Sequence, residues 1–125
     1  MFEVRKRILI ADDEQTIADT LQIILLKKGF DAVAVYDGEA AIAKVRDWKP
    51  DLFLSDIVMP DVSGIEAAIQ ITRMLPKCKV LLLSGQAIVH DLMHDARQRG
   101  HDFRIIMKPI HPDELIASLR SMLNN

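Results

Sequence analysis

Five short apolar runs, separated by segments of helical periodicity, constrain the fold of this 125-residue chain more than any other feature. Four of the five are continuously apolar, which is typical of parallel strands that are covered on both faces. The second run contains two alanines, and we expect it at a less crowded edge of the sheet. The runs comprise residues 8–11, 32–36, 52–54, 80–83 and 105–107.

The segments between and after these runs carry apolar residues three or four positions apart, which indicates helices with one apolar face. Ser63 with Glu66 is typical of a capping box, Pro112 suits a first helical turn, and Gly29 and Gly100 stand where helices should stop. Strands alternating with helices predict an α/β fold, with helices on both faces of a five-stranded parallel sheet. The predicted stripes are Ile17, Leu21, Ile24 and Leu25; Ala41, Ile42, Val45 and Trp48; Ile65, Ala68, Ile69 and Thr72; Ile88, Leu92, Met93 and Ala96; and Leu115, Ile116, Leu119 and Leu123.

Length and composition predict one compact domain over residues 1–125. Half of the residues are hydrophobic, and the net charge of -2 provides no broad field for attracting nucleic acid or an anionic membrane. Cys78 is the only cysteine, so no intrachain disulfide can form. No stretch has the length and apolarity of a membrane span. Together with the small net charge, this leads us to expect a cytoplasmic domain that binds neither membrane nor nucleic acid directly.

Polar side chains follow four of the five predicted strands, at the point where each strand ends. The first strand runs into Asp12 and Asp13, the third into Asp56, the fourth into Ser84 and the fifth into Lys108. In open α/β sheets, ligands bind beyond the carboxyl ends of the strands, so these groups are predicted to meet at one site.

The charges of these groups predict that the site binds a cation, and they indicate the kind of reaction that the site supports. Three carboxylates about 4 Å apart repel one another by roughly 4 kcal/mol per pair at an effective dielectric near 20. A hard dication with oxygen ligands, Mg²⁺ above all, relieves that repulsion and commonly shares its ligand shell with phosphate oxygens. Lys108 adds a fixed positive charge and Ser84 a hydroxyl donor, a combination that suits phosphoryl transfer to a carboxylate.

Four motifs in this order, each at a strand end, resemble those of the receiver domain of response regulators, a two-component signalling module. The resemblance extends from Ile8 to Leu123, nearly the whole chain. The motifs are Ile10-Ala11-Asp12-Asp13-Glu14; Asp56-Ile57-Val58-Met59-Pro60 with Asp61 and Gly64; Leu83-Ser84-Gly85; and Lys108-Pro109.

The resemblance implies a flavodoxin-like, doubly wound sheet of strand order 2-1-3-4-5. It implies that Asp56 becomes an acyl phosphate after transfer from a histidine kinase or a phosphotransfer protein. It also implies that the face formed by the fourth helix, fifth strand and fifth helix meets a downstream partner.

Individual roles at the site are likewise implied by the resemblance. Asp13, Asp56 and the backbone carbonyl of Val58 would ligate Mg²⁺, and Asp12 would act largely through water. Ser84 and Lys108 would contact the phosphoryl oxygens.

The sequence departs from the family pattern at a switch position. Receivers usually carry Tyr or Phe three residues before the lysine, where this chain has Ile105. Phe103 lies nearby, but we expect its side chain on the other face of the sheet. This departure bears on an aromatic rotamer switch and not on phosphorylation.

Two other functions remain as alternatives to a phosphorylated, non-enzymatic switch. One is an interaction module that keeps the fold and is never phosphorylated, against which the retained Asp13, Asp56, Ser84 and Lys108 speak. The other is a hydrolase with an aspartyl-phosphate intermediate. Hydrolases of the haloacid dehalogenase type carry a D-x-D motif after the first strand, whereas here two aspartates are adjacent and the candidate nucleophile follows the third strand.

Overall fold

The structure is a computed structural model that describes residues 4–85 and 90–124. Five strands alternate with five helices, every strand pairing is parallel, and the strand order is β2-β1-β3-β4-β5. The predicted fold class and strand order are therefore confirmed. The elements are β1 Arg7–Ala11, α1 Gln15–Lys27, β2 Asp31–Val35, α2 Gly38–Val45, β3 Leu52–Asp56, α3 Gly64–Met74, β4 Lys79–Ser84, α4 His90–Gln98, β5 Arg104–Met107 and α5 Pro112–Leu123.

Every strand differs by one or two residues from the apolar run that predicted it, and β2, β3 and β4 differ at their carboxyl ends. β3 continues past Leu54 through Ser55 to Asp56, because the backbone ladder to β4 persists after the side chains become polar. β2 ends at Val35, and Tyr36 is an exposed side chain whose hydroxyl donates to Asp19 at 2.6 Å. β2 does lie at an edge of the sheet, as its alanines predicted.

Two apolar clusters cover the two faces of the sheet. Successive residues of β1 divide between them: Ile8 and Ile10 pack towards α1 and α5, whereas Leu9 and Ala11 pack towards α2, α3 and α4. This alternation explains why the central strands are continuously apolar, since both faces of each strand are covered.

The helices bury one face each, and α4 has only two buried residues. Its buried residues are Met93 and Ala96, whereas Leu92 of the predicted stripe is 42% exposed and Ile88 lies outside the described residues. α5 starts at Pro112, as predicted. Within the described ranges no helix combines the length and the apolarity that crossing a membrane requires.

The observed helix ends agree with the sequence signals, except for the side chain of Glu66. Gly29 and Gly100 have φ values of 97° and 88°, the left-handed conformation that favours glycine after a helix. The Ser63 hydroxyl accepts the backbone N–H of Glu66 at 3.1 Å. The Glu66 carboxylate, however, binds the guanidinium of Arg99 at 2.8 Å, so this side chain joins α3 to the residue after α4.

Candidate functional site

Three aspartates meet at the carboxyl end of the sheet. Asp12 and Asp13 directly follow β1, and Asp56 ends β3, which is the neighbouring strand. One carboxylate oxygen from each lies within 4.8 Å of the other two. The strand-end argument therefore predicted correctly which acidic side chains come together.

The Lys108 ammonium is shared between two of these carboxylates. Its Nζ lies 3.6 Å from Oδ2 of Asp12 and 3.6 Å from Oδ1 of Asp56. Asp12 is only 3% exposed and also accepts the backbone N–H of Glu14 at 3.0 Å. The backbone N–H of Lys108 donates to the carbonyl of Ser84 at 2.7 Å, which fixes the lysine to the end of β4.

The pKa of Asp56 is raised above its ordinary value. Burial is the largest cause, and the Asp12 carboxylate raises the pKa further. The Lys108 ammonium and the backbone N–H of Ile57 act in the opposite direction but do not cancel the effect of burial. The ionised form of Asp56 is thus held at a free-energy cost that an added cation would reduce.

A glycine is required where the chain returns past Asp56. A Cβ on Gly64 would overlap the Asp56 carbonyl oxygen and lie 2.8 Å from Oγ of Ser55. The Gly64 N–H donates to the carbonyl of Ile57 at 2.8 Å, and the Ser55 hydroxyl donates to the Asp56 carbonyl at 2.8 Å. Gly64 belongs to one of the motifs that resemble receiver domains. The sequence did not predict its close approach to Asp56 or the hydrogen bond from Ser55 to the Asp56 carbonyl, because neither leaves a periodic signal.

The other predicted site residues lie at the same edge of the sheet. Val58 is in the loop after β3, with its side chain 46% exposed. Ser84 is buried at the end of β4, one residue beyond the partner of Asp56 in the ladder. These positions are compatible with the roles that the resemblance implies for the Val58 carbonyl and the Ser84 hydroxyl.

The expectation for Phe103 was wrong. Phe103 and Ile105 pack against the same core cluster, on the face covered by α3 and α4. The reason is geometric: residues two apart in an extended chain point to the same face. Ile105 is half-buried in β5 opposite Leu82, and the Phe103 ring lies 5.4 Å from the His101 ring.

Two cavities of about 260 Å³ each flank the cluster, and the sequence predicted neither. The first, beside Asp13, is acidic and also contains Asp37, Glu39 and Asp61. The second, beside Lys108, is largely apolar. Its lining is Ile17, Leu21, Leu83, Lys108, Pro109, Ile110, Pro112 and Leu115.

The aspartate cluster fits a magnesium ion by its donor set. Mg²⁺ prefers oxygen ligands at about 2.1 Å, so ligand oxygens on opposite sides of one ion are about 4.2 Å apart. The separation of at most 4.8 Å between the oxygens of Asp12, Asp13 and Asp56 is close to that value. Asp13 is the exposed member, and Lys108 already faces the other two.

Comparisons of sequence agree with this site. A profile of the response regulator receiver domain matches residues 8–120. The DNA-binding response regulator MtrA of Mycolicibacterium smegmatis is 32% identical over 123 residues, which are 98% of this chain and 53% of MtrA. The alkaline phosphatase synthesis transcriptional regulatory protein PhoP of Bacillus subtilis is 31% identical over 96% of this chain and 49% of its own length. The chain thus spans about half the length of these curated relatives.

Solved structures agree over almost the whole chain. A CheY-like response regulator receiver domain protein from Methanospirillum hungatei JF-1 superposes with a TM-score of 0.87 at 27% identity, covering 97% of this chain and 95% of that one. The response regulator TrrA of Thermotoga maritima, crystallised in complex with Mg²⁺-BeF, superposes with a TM-score of 0.80 at 31% identity. That alignment covers 94% of this chain and 99% of TrrA.

Proposed function

Because the chain belongs to the response regulator receiver domain family, we propose that it accepts a phosphoryl group on Asp56 and thereby switches partner binding. The observation that carries the proposal is the grouping of Asp56 with two further carboxylates and one shared ammonium at the carboxyl edge of the sheet. A partly buried carboxylate in this position is a candidate nucleophile, and the Lys108 ammonium beside it can stabilise the negative charge that a phosphoryl group adds.

The proposed step transfers a phosphoryl group from a phosphohistidine of a histidine kinase or phosphotransfer protein. An Asp56 carboxylate oxygen attacks the phosphorus, the phosphorus–nitrogen bond breaks, and its electron pair stays on the imidazole of the donor. The Lys108 ammonium, 3.6 Å from Asp56, favours the ionised form that the attack requires. The apolar cavity beside Lys108 gives the donor protein a surface on which to dock.

Asp12, Asp13, Asp56 and the carbonyl of Val58 would hold Mg²⁺. Bound there, the ion would offset the charge of the carboxylates and of the phosphoryl oxygens. The similarity to TrrA, whose structure contains Mg²⁺-BeF, supports this assignment.

The proposed output uses the loops after β4 and β5. A phosphoryl group adds up to about two negative charges and three acceptor oxygens, and Ser84 and Lys108 are the proposed donors to them. The Lys108 N–H binds the Ser84 carbonyl, so the carboxyl ends of β4 and β5 are joined directly beside these two donors. Leu92 and Met107, 42% and 52% exposed, lie on the face of α4, β5 and α5 where a downstream protein would bind.

Ile105 changes the form of this switch but not its direction. An isoleucine can fill the space that a moving hydroxyl residue leaves, but it brings no polar tip to the surface. We therefore expect a shift of loops and helix without an aromatic rotamer flip. Several relatives are named as DNA-binding regulators, yet the chain spans half their length, and the function proposed for it includes neither contact with nucleic acid nor catalytic turnover of a substrate.

Intact mass spectrometry after incubation with acetyl phosphate and Mg²⁺ tests the proposal. The wild type should gain the mass of one phosphoryl group, and Asp56→Asn should gain none. Asp61→Asn is the matched control, because Asp61 is exposed, lies outside the cluster and has a φ of 64° that asparagine tolerates. Equal labelling of Asp56→Asn would refute the assignment, and turnover of a generic phosphate ester would indicate a hydrolase instead.

A further inference from the structure

A concave basic surface begins at the edge of the sheet opposite the aspartates, where the strands start. A cavity of about 550 Å³ beside the starts of β1 and β2 is lined by Arg5, Lys6, Lys28 and Arg120. A second cavity, of about 480 Å³, adjoins it, because Lys6 lines both. The surface therefore extends across more than one strand.

The second cavity continues past the starts of β3 and β4, where Lys77 and Lys79 line it. A third cavity, of about 380 Å³, shares Pro76 and Lys77 with the second and adds Lys49. The three cavities together, here named the amino-edge groove, run along the sheet from β2 to β4.

The amino-edge groove is strongly positive although the chain has a net charge of -2. Seven lysine and arginine side chains line its three cavities, against the single carboxylate of Asp51. Asp51 already accepts the backbone N–H of Arg7 at 2.8 Å. Within residues 4–85 and 90–124, none of the seven cations forms a salt bridge.

The groove also has an apolar component. Pro76 in its lining is exposed and Leu75 and Leu123 are partly exposed, so these three residues form its accessible apolar base, and the seven cations around them are exposed. Val4 at one end and Met74 at the other are 93% and 41% exposed. If a purely polar anion bound in the groove, these apolar side chains would stay exposed to water.

We propose that the amino-edge groove binds an extended segment of a partner protein in which Asp or Glu residues alternate with apolar residues. Side chains of an extended segment alternate in direction, so carboxylates can face the lysines while apolar side chains face the base of the groove. The span from β2 to β4 is about 14 Å, three strand spacings, which matches about four to five residues of extended chain.

The shape and charge of the groove favour such a peptide over nucleic acid. A long polyanion gains from many regularly placed cations, but it makes no use of the apolar base. The acidic edge of the sheet lies beyond the screening length of about 8 Å at physiological salt, so it does not weaken contacts at the opposite edge. Because the groove is remote from Asp56, this inference does not depend on phosphorylation.

Fluorescence anisotropy with a labelled peptide of about eight residues, alternating Glu and Leu, tests the proposal. The peptide should bind the full chain, and binding should weaken on raising NaCl from roughly 50 to 300 mM. A peptide with Gln for Glu and a peptide with Ser for Leu should each bind more weakly. Tighter binding of an oligonucleotide, equal binding of the Ser peptide, or no binding of the Glu-Leu peptide would overturn the inference.

Matched charge reversals locate the site. Lys6→Glu with Lys77→Glu, at the junctions between cavities, should weaken peptide binding by about tenfold or more. Arg46→Glu with Arg97→Glu makes the same change in net charge at exposed positions outside the groove and should alter affinity by less than about twofold. Lys79→Glu alone serves if the double variant does not fold. Beryllium fluoride binding should be retained in these variants, which separates this test from that of the proposed function, and equal losses in both double variants would refute the groove as the site.

Discussion

Removing the charge of Asp56 should stabilise the domain in the absence of divalent cations. The perturbation is Asp56→Asn, which keeps the size of the side chain and an oxygen acceptor for Lys108. The ionised carboxylate is partly buried beside two others, and this desolvation has already raised its pKa. The neutral amide removes the cost of holding this third negative charge in the cluster.

The magnitude follows from the distances at the site. At an effective dielectric near 20, attraction to Lys108 at 3.6 Å is worth about 4.6 kcal/mol. Repulsion from Asp12 and Asp13, each within 4.8 Å, is worth at least about 3.5 kcal/mol per pair. The repulsions exceed the attraction, and because Asp13 is exposed and screened, we expect a net gain of about 1 to 2 kcal/mol, or roughly 3 to 8 °C in Tm.

The gain should depend on pH in a definite direction. The pKa of Asp56 is raised on folding, so its ionised form opposes folding above the folded pKa, and this penalty disappears as pH falls towards the unfolded value of 3.8. The difference between Asp56→Asn and the wild type should therefore be full at neutral pH and shrink in acid.

Urea and thermal unfolding, followed by circular dichroism with a chelator present, measure this difference. Asp61→Asn, an exposed acid outside the cluster, should change stability by less than about 0.5 kcal/mol. If Asp56→Asn is less stable than the wild type at neutral pH, the attraction of Lys108 dominates and the reasoning from repulsion is wrong.

Further predictions concern metal binding, output, the close approach at the site and the one thiol. Asp13→Ala should weaken Mg²⁺ binding by about tenfold or more, because it removes the exposed carboxylate that we propose as a ligand, and titration of amide shifts against Mg²⁺ measures this. Ser84→Ala should reduce the amide shifts of α4 and β5 induced by beryllium fluoride, and unchanged shifts would refute the proposed route. Gly64→Ala should destabilise the fold by about 1 to 3 kcal/mol in urea unfolding, because the added Cβ overlaps the Asp56 carbonyl. Cys78 is buried, which raises the pKa of its thiol to about 12, so a thiol reagent at neutral or mildly basic pH should label it only after unfolding.

The sequence predicted the fold and the acidic cluster for the same physical reason. Continuous apolar runs require cover on both faces, which predicts a parallel sheet between two layers of helices. The doubly wound strand order was implied only by the resemblance to receiver domains. Once the strands are parallel, their carboxyl ends share one edge, and Asp12, Asp13 and Asp56 must lie there. The sharing of Lys108 between two carboxylates was not predictable, since it depends on the conformation of a long side chain.

Features assembled from distant segments were missed. The amino-edge groove takes Lys6, Lys28, Lys77 and Arg120 from four separate segments, and each alone resembles an ordinary solvated charge. The position of Phe103 differs from these features, because the sequence does carry it: Phe103 is two residues before Ile105, and a period of two puts both side chains on the same face.

The small number of buried side chains in α4 affects how much free energy is needed to displace this helix. With Met93 and Ala96 as its buried side chains, α4 has little apolar area to lose when it separates from the sheet, whereas α3 buries six residues. Local opening free energies follow such differences, so amides in α4 should exchange hydrogen well before those in α3. A helix held by so few buried side chains should need a smaller input of free energy to be displaced than α3, and new hydrogen bonds at a phosphorylated Asp56 would be one source of it.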